Sequence, residues 1–232
     1  MINLKLRIGM TPFKVPPKFQ DFSEQYPEAN KVQAIIKNGG TTARNSIARL
    51  WLSEGIPYAF KESPILYDEI RSWLAIRLDI DPKEISITGS GRIGQSLAPL
   101  KLGINFSEKS DLDFFIISES LLHRLRNDFN TWSFDFESGR IQPKNEREEK
   151  FWKDNLSRGH MYFSKGFFDA KLIPNYKDYT CASNIANTMW MLKAKLDVTP
   201  NAPKVSEASV RCYKTWADFV RQVSINLAEI NI

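Results

Sequence analysis

The chain has little of what most metal and redox chemistry requires. It holds two histidines, His123 and His160, and two cysteines, Cys181 and Cys212, in 232 residues. So few histidines exclude a histidine-rich metal centre, and the cysteines match no zinc-ligand spacing. The cysteines are expected in helices, free and reduced, which points to a cytoplasmic protein. His160, in Arg158-Gly159-His160, is expected at the surface or a strand edge. No apolar run approaches the ~20 residues needed to span a bilayer. The segment Met1-Ile2-Asn3-Leu4-Lys5-Leu6-Arg7 has no apolar signal core, so neither a membrane partner nor a secretory leader is expected. No Ser/His/Asp or Cys/His set offers a covalent nucleophile. Internal repeats, low-complexity segments and tracts interleaving arginine with aromatics are missing too, which removes the simplest RNA-binding modules.

What remains is globular in character. Hydrophobic residues make up 42% and charged residues 25%, enough for a sizeable core with a solvated surface. The formal charge of +5 favours a phosphate-bearing partner, although a triphosphate cleft alone would account for it. Pro12, Pro16, Pro17 and Pro27 deny a long helix to an N-terminal arm over 1–40, with a short strand at most near 2–7. A helix is expected over 41–54, closed by Gly55. Ser63, Pro64, Asp68 and Glu69 start a better-signed helix, whose core stripe is Leu66, Ile70, Trp73, Leu74 and Leu78. Asp81-Pro82 ends it. Helix is also expected over 118–130, over the charged stretch 137–158, over 182–197 and over 205–229. Strands near 160–164 and 167–173 would pair as a hairpin around Lys165-Gly166.

The most informative stretch lies between these elements. A short apolar strand over 84–88 delivers the turn Gly89-Ser90, and after a loop comes Ser110-Asp111-Leu112-Asp113-Phe114-Phe115-Ile116-Ile117. Side chains alternate along a strand, so Asp111 and Asp113 share a face while Leu112 points into the core. Two like charges side by side are costly without a cation between them, and hard carboxylate oxygens suit Mg²⁺. A glycine at such a turn lets backbone approach a phosphate, and Ser90 adds a hydroxyl donor. Lys101 and Lys109, in the loop between, are candidates to face a substrate.

Gly89-Ser90 followed by Ser110-Asp111-Leu112-Asp113 resembles the signature of the nucleotidyltransferase superfamily that includes DNA polymerase beta. The likeness covers roughly 63–175 and is nearest in feel to the cyclase and poly(A)-polymerase branch or to small bacterial toxin-type members. It implies an α+β fold: a nucleotidyltransferase-type mixed sheet flanked by helices over 41–178, with a helical subdomain over 179–232. It also implies a third carboxylate on a later strand. Asp169, in Gly166-Phe167-Phe168-Asp169, is the first candidate and would be carried beside the Asp-x-Asp strand; Asp135, in Trp132-Ser133-Phe134-Asp135-Phe136, is its rival. Many small members carry arginine in the fifth place of Gly-Ser-x-Ala-Arg-Gly, whereas here Arg92 comes one place early and Ile93 takes that position. Arg92 is a candidate for phosphate. So are Lys214, in Val210-Arg211-Cys212-Tyr213-Lys214-Thr215-Trp216, and Lys193.

The resemblance implies that Asp111, Asp113 and Asp169 hold two Mg²⁺ or Mn²⁺ ions, and that Gly89 and Ser90 bind the terminal phosphates of an NTP. The activity implied is transfer of NMP to a hydroxyl acceptor with release of pyrophosphate. An RNA 3′ end, a second nucleotide or a protein hydroxyl are the open acceptors. Small family members occur in toxin and antiphage defence systems, which makes that setting an expectation by resemblance alone. The alternative is a catalytically silent nucleotide- or nucleic-acid-binding partner module.

Overall fold

The computed structural model describes residues 14–20 and 22–231, so the strand expected near 2–7 lies outside the described residues. Within them the chain is mixed α+β. Seven α-helices surround one four-stranded mixed sheet made of β1 (Ile85–Ile87), β2 (Leu112–Ile117), β3 (Phe167–Asp169) and β4 (Ala208–Tyr213). The spatial order is β1-β2-β4-β3. β1 runs antiparallel to β2, β4 parallel to β2, and β3 antiparallel to β4.

Helices cover one face of the sheet fully and the other in part, and alternation along β2 decides which residue goes where. Leu112, Phe114 and Ile116 join Ile85, Ile87, Phe168, Val210 and Cys212 in a core beneath α2 (Pro64–Leu78), α4 (Glu119–Glu137), α5 (Glu146–Ser164) and α6 (Thr180–Val198). Phe115 turns the other way, with Phe167 and Tyr213, under α1 (Ala29–Leu50) and α7 (Trp216–Ala228). Asp113 lies on that second face, where α1 and α7 leave part of the sheet uncovered.

Local chemistry sets the helix ends. Pro64 occupies the first position of α2, which stops at left-handed Asp79. Ser118, Asn145 and Thr215 accept hydrogen bonds from the backbone N–H groups of Leu121, Glu148 and Asp218, capping α4, α5 and α7. Among the described residues no helix is long and apolar enough to cross a membrane.

Several expectations change. The helix expected over 41–54 is the second half of α1, which already begins at Ala29 and passes through a positive-φ kink at Gly40, so 29–40 is not an arm. Residues 160–164 complete α5 instead of forming a strand, because Gly159 lets that helix press against Phe129 and seats His160 edge-on to the same ring. Residues 205–229 are not one helix: β4 occupies 208–213, and Thr215 then caps the shorter α7. The 179–232 segment is therefore no separate helical subdomain, since it supplies a strand inside the sheet. Cys212 accordingly sits in β4 and Cys181 in α6; both thiols are free, and burial pushes both pKa values up, that of Cys181 to about 11.

Candidate functional site

Gly89, Ser90, Asp111 and Asp113 line one cleft of about 770 Å³ on the half-covered face of the sheet. Leu52, Val223, Leu227 and Ile230 wall it on the side of α1 and α7. Asp111 immediately precedes β2 and Asp113 is its second residue, so the alternation read from the sequence does bring both carboxylates to one side.

The turn is built against those acids. Thr88 donates its N–H to the Asp113 carbonyl (2.9 Å), which ties the end of β1 to β2. Gly89 then takes φ 66° and ψ −151°, a conformation open to glycine and strained for other residues. A Cβ at that position would also sit 3.3 Å from Asp113 Oδ2. Ser90 opens α3 (Ser90–Ile93), and Gly94, again at positive φ, ends it. The loop that follows is ordered by its own hydrogen bonds: Ser96 N–H to Ile104 (2.9 Å), Gly103 N–H to Ser96 (2.9 Å) and Phe106 N–H to Gly94 (2.8 Å). Through it Lys101 and Lys109 reach the cleft lining.

Each carboxylate is oriented by a serine, Asp113 by Ser209 of β4 and Asp111 by Ser206, two residues before that strand. The Ser209 hydroxyl donates to Asp113 Oδ1 at 2.7 Å, and Ser206 donates to Asp111 Oδ1 by a short contact. Each acid therefore keeps one oxygen outside these bonds. The strand register, Asp113 beside Ser209, makes this pairing.

Asp169 is not where it was expected. It lies on β3, and β4 separates β3 from β2, so Asp169 sits two strand spacings, about 10 Å, to the side of the Asp-x-Asp strand. Its Oδ2 faces Arg211 (3.7 Å) and Lys171 (3.5 Å), and its Oδ1 accepts from the Lys171 N–H (3.3 Å) at the start of a 3-10 turn. The acid expected next to Asp113 is replaced by a serine. Asp135 does not take its place: it belongs to α4, where it pairs with Arg140 (3.4 Å) and accepts from the Tyr179 hydroxyl (3.2 Å). Among the described residues no three of His, Cys, Asp and Glu gather as a metal-binding group.

Three expected phosphate ligands also lie elsewhere. Arg92 is buried, and its Nη1 donates to the Ile56 carbonyl at 3.0 Å; burial lowers its pKa against the pull of Tyr26 and Tyr67. It braces the loop after α1 instead of facing the cleft. Lys193 is bound to Asp197 one turn along α6 (2.5 Å) and borders a different, smaller pocket beside Asp169. Lys214 pairs with Glu119 (3.1 Å) beyond the end of β4.

In their stead the cleft holds Arg211 and Tyr213, named from the sequence only as part of the segment around Lys214. The guanidinium lies over the Phe167 ring at 5.6 Å. Burial works against its charge, yet Tyr213, Asp169 and Asp113 outweigh that effect and raise its pKa above the usual value. A signal for it was available. In Ala208-Ser209-Val210-Arg211-Cys212 the polar residues alternate with buried ones, as in a strand. Comparison with family models, with curated proteins and with solved structures gives no match for this chain.

Proposed function

We propose that this cleft binds a nucleoside triphosphate together with a divalent cation, and that the reaction it serves is transfer of NMP to a hydroxyl acceptor with release of pyrophosphate. The observation that carries the reading is the convergence of the Gly89-Ser90 turn with Asp111 and Asp113 in one cleft, with Asp113 Oδ2 lying where a side chain at position 89 would meet it. The donor set suits Mg²⁺ or Mn²⁺: two hard carboxylates, each steadied by a serine hydroxyl and each with an oxygen to spare. It suits one such ion better than two, because Asp169 is spent on Arg211 and Lys171. A cation bound there would neutralise charge on the triphosphate and the departing pyrophosphate.

The remaining work falls to groups of the chain. Gly89 allows close approach of the phosphates, Ser90 offers its hydroxyl to one of their oxygens, and Lys101 and Lys109 add positive charge at the rim. Ser90→Ala removes a single donor. It is expected to weaken NTP binding about fivefold, or ~1 kcal/mol, without changing the metal requirement, as a nucleotide titration will read. An unchanged affinity would take Ser90 out of the site.

A second reading, a nucleotide-binding module without catalysis, is favoured by Ser209 standing where an acid would complete the acceptor side. One experiment separates the two. The protein is incubated with each labelled NTP, Mg²⁺ or Mn²⁺ and total tRNA, and the RNA, protein and small-molecule fractions are resolved while pyrophosphate is followed. Label transfer with pyrophosphate release supports the transferase, retention of nucleotide without release supports the silent module, and failure to bind Mg·NTP removes both.

A further inference from the structure

We infer that Arg211 is a phosphate-binding cation standing in for a second metal ion, so that the cleft takes a triphosphate on one divalent ion and one guanidinium. The inference rests on the nucleotide reading above and specifies how that site is charged.

The sheet order supplies the first argument. β4 lies between β2 and β3, and the register sets Asp113 beside Ser209, and Arg211 beside both Phe115 and Asp169. Asp113, Arg211 and Asp169 therefore share one face of three successive strands, with the cation in the middle. Arg211 borders the same cleft as Gly89, Ser90, Asp111 and Asp113.

The second argument is hydrogen-bond capacity. A guanidinium carries five N–H donors in a planar fork that matches two oxygens of a phosphate. Here its nearest acid, Asp169 Oδ2, is 3.7 Å from Nη2, close enough for attraction and too far for a hydrogen bond. Its Nε is closed off from solvent without a partner. Phe167 holds the plane from one side, Asp169 attracts the charge and the Tyr213 hydroxyl accepts one hydrogen bond, so the group is positioned with donor capacity left over. The side chain as a whole is 40% exposed at the edge of the cleft, which leaves the Nη groups open to ligand oxygens.

The third argument concerns Asp169. Paired with Arg211 and Lys171, it is already compensated and has a positioning role. Its neutralisation should therefore release Arg211 toward anions instead of weakening metal binding.

The test uses the full chain and two probes, inorganic tripolyphosphate and ATP, each titrated calorimetrically in EDTA and in Mg²⁺, together with a Mn²⁺ titration. Arg211→Ala is expected to weaken both probes about tenfold to a hundredfold in Mg²⁺, the span of a charge-assisted hydrogen bond, and to remove the binding seen in EDTA. Arg211→Lys, which keeps the charge and loses the fork, should fall in between. Asp169→Asn should bind tripolyphosphate in EDTA more tightly than the parent and leave Mn²⁺ affinity unchanged; it decides the matter should Arg211→Ala not fold. Unaltered binding by Arg211→Ala overturns the inference and leaves the nucleotide reading standing. So does a loss of Mn²⁺ affinity in Asp169→Asn, which would make Asp169 a metal ligand. A parent protein that binds neither probe overturns both readings together.

Discussion

Asp113→Ala is expected to yield a folded protein that no longer binds Mn²⁺ or Mg·NTP measurably. The strand does not depend on this side chain: Leu112, Phe114, Phe115 and Ile116 are buried on either side of it, and the backbone pairing with β1 and β4 is independent of it. The substitution breaks one hydrogen bond, from Ser209, and removes one of two neighbouring negative charges. The net effect on the thermal midpoint should be small. Cation binding, in contrast, is expected to lose one of two carboxylates, the one on the strand residue that accepts from Thr88 beside the Gly89 turn. We expect at least roughly a hundredfold weaker binding, which corresponds to ~3 kcal/mol, and NMP transfer lower by several orders of magnitude. Calorimetric Mn²⁺ titration beside a thermal melt checks both halves. Parental affinity in a folded Asp113→Ala protein would remove the carboxylate pair from the site.

The second large effect is one of stability. Phe129, in α4, is fully buried and touches four aromatic rings: Trp132 (5.5 Å), His160 (5.0 Å), Phe163 (5.5 Å) and Phe168 (5.5 Å). Phe129→Ala should cost about 3–5 kcal/mol through lost burial and the cavity left behind, a large share of the ~5–15 kcal/mol typical of a domain. The same ring explains Gly159. A Cβ there would lie 2.2 Å from Phe129 Cε2, a collision that the clamped ring cannot relieve. Gly159→Ala alone should therefore cost about 1–3 kcal/mol by overpacking. With Phe129→Ala already present it should cost nothing or stabilise, because the methyl enters vacated space. Urea midpoints of the four proteins measure the coupling. Strictly additive values would show that the two residues do not oppose each other.

The parts of the site legible in the sequence were those fixed by short-range rules. Alternation in Asp111-Leu112-Asp113 determined the face of both acids, and the Gly89-Ser90 turn followed from its position after an apolar strand. The start of α2 at Pro64 was equally local, although Ser63 before it makes no side-chain capping bond. What could not be read was which strand lies beside which. Asp169 does sit in a strand, yet its distance from Asp113 depends on β4 inserting between them, and no local pattern specifies that order. β4 itself was obscured because Val210, Tyr213, Ala217 and Val220 also fit a helical stripe; Thr215, with Asp218 three residues on, marks the true helix start. Arg92 shows a different limit. Its proximity to Gly89 was plain, but its direction is set by the carbonyl of Ile56, more than thirty residues earlier in the chain.

The late place of β4 in the chain has a consequence for assembly. Without residues 208–213, β2 keeps only β1 as a partner and β3 has none. An unpaired edge of that kind is a template for strands of other molecules, and β4 is the segment that covers it. Ser209 and Arg211 come with that segment. The ligand cleft is thus completed by the same insertion that seals the sheet, and a chain halted partway acquires neither.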